Sequence, residues 1–292
     1  MQKFIVLFLL LAACGGGGLH SSSGKISVLV SVVPQKYFVE KVAGDLAVVT
    51  VLIPSGANPA AYEMSPSGMR VVNDSDIWFT LGLQRETTWI PEFSSINDSL
   101  RIVSTIKGVT RLPIGRYGIP GEHNETDGGD SDPHVWLSPA LVRLQAEAIC
   151  EALCETDPEN SETYTHNLAL FIEEINVLQA QIHNRLDRYS GEGFMVFHPA
   201  WGYFADEFNL VQVPIEIAGS EPSPGEMAQL VSYGRNSSVK IVFVSPQFSE
   251  VSAETIAEEM NASVVFIDPL APDWSENLVF VAQEIARAME RE

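Results

Sequence analysis

Two patterns of hydrophobic positions alternate along this chain. Short runs of β-branched and apolar residues occur at 26–33 (ISVLVSVV), 47–53 (AVVTVLI), 76–81 and 101–103. Helically spaced or irregular stretches lie between them, the first from Gln35 to Val42 with a Gly44-Asp45 stop. Bounded β-branched runs read as strands, and apolar residues three or four apart read as amphipathic helices. This alternation predicts a βα lobe on a largely parallel sheet. The theme repeats in the second half. Phe194 to Phe197, Val211 to Ile215, Lys240 to Ser245 and Ser263 to Ile267 are short apolar strands, with helical segments between them and a final helix from about Glu276 to Ala288.

The longest helical pattern, 161–189, separates the halves. Tyr164, Leu168, Phe171, Ile172, Ile175, Leu178, Ile182 and Leu186 recur mostly at steps of three or four, with no Gly or Pro until the pattern ends. Such a helix is about 40 Å long. It can join two lobes along one side and resist hinge bending better than a loop, so limited lobe motion is expected. His166 and His183 fall on it as surface residues. Four helix starts are legible: Ser65-Pro66, Ser138-Pro139, Asp157-Pro158 and Ser223-Pro224 each place a side-chain acceptor at the N-cap and proline at the first helical position. Ser223 with Glu226 also forms a capping box. The expected fold class is therefore α/β: two βα lobes with mainly parallel sheets, joined by one long backbone helix. The expected segments are a signal peptide at 1–13, a tether at 14–24, an N-terminal lobe at 25–160, the linking helix at 161–190 and a C-terminal lobe at 191–292.

Charge narrows the function. The formal net charge of −21 argues against a nucleic-acid partner, which requires a basic surface. It gives solubility and would also attract cations. At the N-terminus, Lys3 precedes an unbroken apolar run from Phe4 to Ala13, too short to span a bilayer and readable as a secretory signal. The run closes Leu11-Ala12-Ala13-Cys14, which matches a bacterial lipobox with Cys14 as the lipidated mature N-terminus. Gly15 to Gly18 and Ser21 to Ser23 follow as a flexible tether. The expected location is the cell envelope, held to a membrane by the lipid anchor only and facing the periplasm or exterior. Cys150 and Cys154 lie four apart on one face of a helix. A disulfide there is possible but strained, and two buried thiols without assigned function are the simpler reading.

Three distant signals carry metal-ligand side chains: Asp132-Pro133-His134, Phe197-His198-Pro199 and Ile267-Asp268-Pro269. His198 and Asp268 each follow an apolar run, at a strand's carboxyl end, where ligands bind in open α/β sheets. With His134 from the first lobe and His198 and Asp268 from the second, one divalent cation would bridge the inter-lobe cleft. Imidazole and carboxylate together suit zinc and its neighbours in the transition series. No short-range zinc motif such as HExxH or CxxC is present. Residues 121–132 (GEHNETDGGDSD) form a polar, acidic stretch just before His134. Its composition describes a solvated surface loop. His123 with Glu122, Glu125, Asp127, Asp130 and Asp132 would also be able to collect or shield a cation.

In order along residues 33–274, the stretches VPQKYFVEKVAGD, IPSGANPAAYEMSPS, DPHVWLSP, FHPAWGYFADEFNL, EPSPGEM and IDPLAPDW resemble the metal-specific solute-binding lipoproteins of ABC transporters, the ZnuA/TroA-like family. The resemblance implies two βα lobes joined by a long helix, with the metal between them. It also implies ligands at His134, His198 and Asp268; a His at the second of these positions resembles the zinc carriers, where manganese carriers tend to have Glu. One departure stands out. The family's first ligand is usually the His of a GxxPHxYEP stretch, and here Ala60 occupies that place, so water, Glu63 or His123 would complete the shell. Glu63 is expected rather to support the helix start at Ser65-Pro66.

The expected function is thus extracytoplasmic capture of a divalent transition metal, Zn(II) before Mn(II) or Fe(II), and delivery to an ABC permease by a monomeric, non-enzymatic protein. Three ligands and a water is also the layout of catalytic zinc, so a zinc-dependent hydrolase is the rival; the sequence offers it no general base beyond Glu63 and no substrate pocket. An adhesin or structural lipoprotein with an incidental metal would not explain convergent ligands.

Overall fold

The computed structural model describes residues 24–114, 131–216, 220, 222–237, 239–248 and 250–290. Cys14, His123, the signal and the tether before Gly24, and residues 121–130 of the acidic stretch lie outside them.

In the first lobe, strands β1 (Ile26–Val30), β2 (Ala47–Val51), β3 (Ile77–Thr80) and β4 (Arg101–Ser104) pair in parallel in the order β2-β1-β3-β4. All residues of β3 are buried and only Ser27 of β1 is not, whereas edge strand β2 is half-exposed. Central strands of a parallel sheet are covered on both faces, so they read as continuous apolar runs. Helix α1 (Val33–Ala43) returns the chain from β1 to β2 and stops at Gly44, whose φ of 55° suits a residue without Cβ. Helices α2 (Pro66–Asn73) and α3 (Gln84–Ile96) make the next two crossovers.

The start of α3 holds a buried carboxyl group with no sequence signature. Glu86, only 1% exposed, reaches back to accept from the backbone N–H groups of Leu81, Gly82 and Leu83, and from the Ser31 hydroxyl at 2.5 Å. Burial pushes its carboxyl above the usual range, and these donors partly offset that.

Helix α4 (Pro139–Thr156) leads to α5 (Ser161–Leu186), the long helix expected from the 161–189 pattern; a short 3-10 turn continues it through Asp187–Tyr189. Tyr164, Phe171, Ile175, Leu178, Ile182 and Leu186 are buried, so the periodicity identified the inward face. His166 is exposed. His183 hydrogen-bonds Asp187 at 2.8 Å with its ring against Phe208. Ser65, Ser138 and Ser223 accept from backbone N–H groups as N-caps. Asp157 does not. Its carboxylate takes the Tyr164 hydroxyl and the Asn160 amide, each at 2.7 Å, and Pro158–Asn160 is a 3-10 turn ahead of α5. Cys150 and Cys154 are free thiols with sulfurs 3.9 Å apart; burial pushes Cys150 up to about 11.

The second lobe repeats the first lobe's strand order. Strands β5 (Gly193–Val196), β6 (Val211–Pro214), β7 (Ile241–Val244) and β8 (Ser263–Phe266) pair in parallel as β6-β5-β7-β8. Helices α6 (Gly202–Glu207), α7 (Pro224–Asn236), α8 (Glu250–Met260) and α9 (Trp274–Met289) complete it. Helix α5 packs on α1 and α4 of the first lobe and on α9 of the second. One apolar cluster runs through both lobes, from Val28, Phe38 and Trp78 to Phe194, Trp201 and Trp274, and a second, around Met195, Val213, Val242 and Ile256, belongs to the second lobe alone. Among the described residues, no helix is long and apolar enough to cross a membrane.

Candidate metal centre

Strand order decides which side chains meet. In each sheet the chain goes from its first strand to one side and then crosses to the other, which opens a crevice at the carboxyl ends of the central strands. The polar side chains at the carboxyl edge of the second sheet include His198 beyond β5, Glu216 beyond β6, Gln247 beyond β7 and Asp268 beyond β8. From the first lobe comes His134, at the 3-10 turn Val135–Leu137 that precedes α4.

The rings of His134 and His198 stand 5.4 Å apart between centroids, at 77° to each other. Each is held from behind by a buried carboxylate. His134 Nδ1 bonds Asp132 Oδ1 at 2.7 Å, and that oxygen also accepts the His134 backbone N–H. His198 Nδ1 bonds Glu216 Oε2 at 2.6 Å. A carboxylate only accepts, so Nδ1 carries the proton in both rings and the Nε2 lone pair is free to coordinate. Burial pulls His198 below the usual imidazole range; Glu216 opposes this, and His134 adds to it.

Asp268 shares this rim. Its Oδ1 accepts from Gln247 Nε2 at 2.8 Å and from the Leu270 N–H at 2.9 Å. Gln247 adjoins Phe248, whose ring stacks on His198 at 4.2 Å. The first lobe is fastened to the same rim: the Trp136 indole donates to the Pro269 carbonyl at 2.7 Å, and Trp274 donates to the Trp136 carbonyl at 2.6 Å. Among the described residues, however, no three His, Cys, Asp or Glu side chains stand within metal-holding distance together. The structure brings the two imidazoles together and leaves Asp268 elsewhere on the rim, bonded to Gln247.

Asp132, read from sequence as part of a solvated loop, is 2% exposed. Its backbone carbonyl accepts the Tyr203 hydroxyl at 3.1 Å, and its carboxylate lies over Gly202, where a Cβ would come within 2.7 Å of Oδ2. Ala60, in the place of the family's first ligand, is exposed, with its N–H donating to Asn58 Oδ1; Glu63 is exposed too. Sequence reasoning missed Glu216, Gln247, Phe248 and Gly202. The signal for Glu216 was available, as a carboxylate just beyond a strand's end like Asp268.

The profile of the ZnuA family, zinc-uptake complex component A periplasmic, matches residues 28–288. The chain belongs to this family. It is 31% identical over 279 residues to the high-affinity zinc uptake system protein ZnuA of Bacillus subtilis, covering 90% of this chain and 85% of that one. The zinc-binding lipoprotein AdcA of Streptococcus pneumoniae is 29% identical over 269 residues, which span 53% of AdcA. A crystal structure of ZnuA superposes with a TM-score of 0.84 at 39% identity, covering 90% of this chain and 99% of that one. The fold, with two parallel-sheet lobes and a long helix, is thus that of ZnuA. The manganese-bound form of a serine-to-alanine mutant of a periplasmic metal-binding protein from Candidatus Liberibacter asiaticus shares the fold at 22% identity and a TM-score of 0.78.

Proposed function

We propose that this protein captures Zn(II) outside the cytoplasmic membrane and delivers it to an ABC permease. His134 and His198 bind the ion through Nε2, and Asp268 binds it through a carboxylate oxygen. The observation that carries this reading is the imidazole pair, 5.4 Å apart, with both Nδ1 atoms occupied by buried carboxylates. A carboxylate behind a histidine fixes the tautomer and ring orientation and raises ligand basicity. Two neutral imidazoles and a carboxylate suit zinc. Membership in the zinc-uptake family supports the same cargo. A lipidated Cys14 keeps the monomeric protein at the membrane, beside the permease. It is a binding component and not a catalyst.

Isothermal titration of the metal-free mature protein tests the assignment. Zinc is expected to bind wild type at least tenfold more tightly than a His198→Ala variant, about the loss of one oriented ligand. Equal affinities would show that the ion binds elsewhere.

A further inference from the structure

The Asp268 carboxylate is not offered whole. Both donors that reach it, Gln247 Nε2 and the Leu270 N–H, end on the same oxygen, Oδ1. A carboxylate oxygen has about two lone-pair sites, so two N–H donors saturate it. Among the described residues, Oδ2 receives no hydrogen bond. The imidazoles follow the same rule, each with Nδ1 engaged and Nε2 open. In the proposed zinc site, the three ligands would then present three lone pairs. Zinc is satisfied by four donors in a tetrahedron, whereas manganese suits an octahedral shell of oxygens, which a carboxylate supplying both oxygens would help to fill.

We propose that Gln247 is a specificity-determining residue: by occupying Oδ1 it makes Asp268 a one-oxygen ligand, which favours Zn(II) over Mn(II). The proposal rests on the zinc-site reading above. Gln247 sits just past β7, at the crevice between the central strands, where its amide reaches the end of neighbouring β8. The Leu270 N–H is a backbone donor two residues from Asp268 and follows it whatever the sequence. Gln247 is the side chain through which substitution alters the number of oxygens offered.

The test is a Gln247→Met variant, close in shape and without the donor, compared with wild type and His198→Ala. Competitive titration gives the ratio of manganese to zinc dissociation constants, and X-ray absorption at the manganese edge gives the number of oxygen neighbours. The ratio is expected to fall roughly tenfold in Gln247→Met, with one more oxygen around manganese. Equal weakening of both metals would mean that Gln247 only positions Asp268, and an unchanged ratio would mean that it does nothing; either result overturns the proposal. The His198→Ala arm separates the two readings. If it binds zinc as wild type does, the site itself is misassigned and this inference falls with it; if it loses zinc while the Gln247→Met ratio stays fixed, only the selectivity role fails.

Discussion

Replacing Glu216 isolates what the carboxylate behind His198 contributes. Glu216 is 9% exposed and bonds Nδ1 at 2.6 Å. In Glu216→Gln the side chain keeps its shape, and its amide oxygen still accepts from Nδ1, but the bond is no longer charge-assisted. Charge-assisted bonds are about twice as strong as neutral ones, whose net worth is roughly 1 kcal/mol. Loss of a carboxylate partner to a metal-bound histidine costs about 10–100-fold in affinity. Zinc binding by Glu216→Gln should therefore weaken at least tenfold. Glu216→Leu should weaken it further and also destabilise the fold by about 1–3 kcal/mol, because the ring N–H is left buried without an acceptor. Titration calorimetry of zinc at pH 7 and pH 8, with thermal melts of each metal-free variant, measures both. The sign of the charge effect gives a control. Glu216 raises the His198 pKa against burial, so its removal leaves the imidazole still more fully neutral. Proton competition then decreases in the variant, and the loss must come from orientation and basicity. A deficit that disappears at pH 8, or affinity within twofold of wild type, would refute this account.

Two other outcomes are expected. Gly202→Ala would place a Cβ 2.7 Å from Asp132 Oδ2; the displaced carboxylate would release the His134 ring, with a stability loss of about 1–3 kcal/mol in urea unfolding and weaker zinc binding by titration. His198 has its folded pKa depressed chiefly by burial, so the stability it contributes is present above the unfolded value of about 6.5 and lost as pH falls through the lower folded value. Thermal melts of metal-free protein across pH 8 to 4.5 should show wild type losing stability in that window relative to His198→Gln, while wild-type zinc affinity also falls.

Local features of the fold were readable because they are written in neighbouring residues. The strands, the inward face of α5 and the caps at Ser65, Ser138 and Ser223 all follow from spacing within a few positions. Asp157 was misread because a competitor seven residues away, the Tyr164 hydroxyl, took the carboxylate that would have capped a helix. His134, His198 and Asp268 stood out through prolines and strand ends. Their supports did not. The strand-end position of Glu216 is visible in the sequence, but its pairing with His198, like that of Gln247 with Asp268, exists only when β6, β5, β7 and β8 lie side by side, and strand order has no local signature. Glu86 was silent for a related reason: it stands between Arg85 and Thr87 like any surface residue, and only the path of residues 81–83 around it makes it internal.

The apolar core that passes from Val28 and Phe38 through Phe171 to Trp274 and Phe194 ignores the boundary drawn by the two sheets. Parting the halves would expose that surface to water, at roughly 25 cal/mol for each Å² uncovered. The molecule is thus two units by topology that share the larger of its two apolar clusters. It should melt in a single transition, with neither half persisting after the other is lost. An ion bound at the seam would then stabilise the entire chain rather than one half.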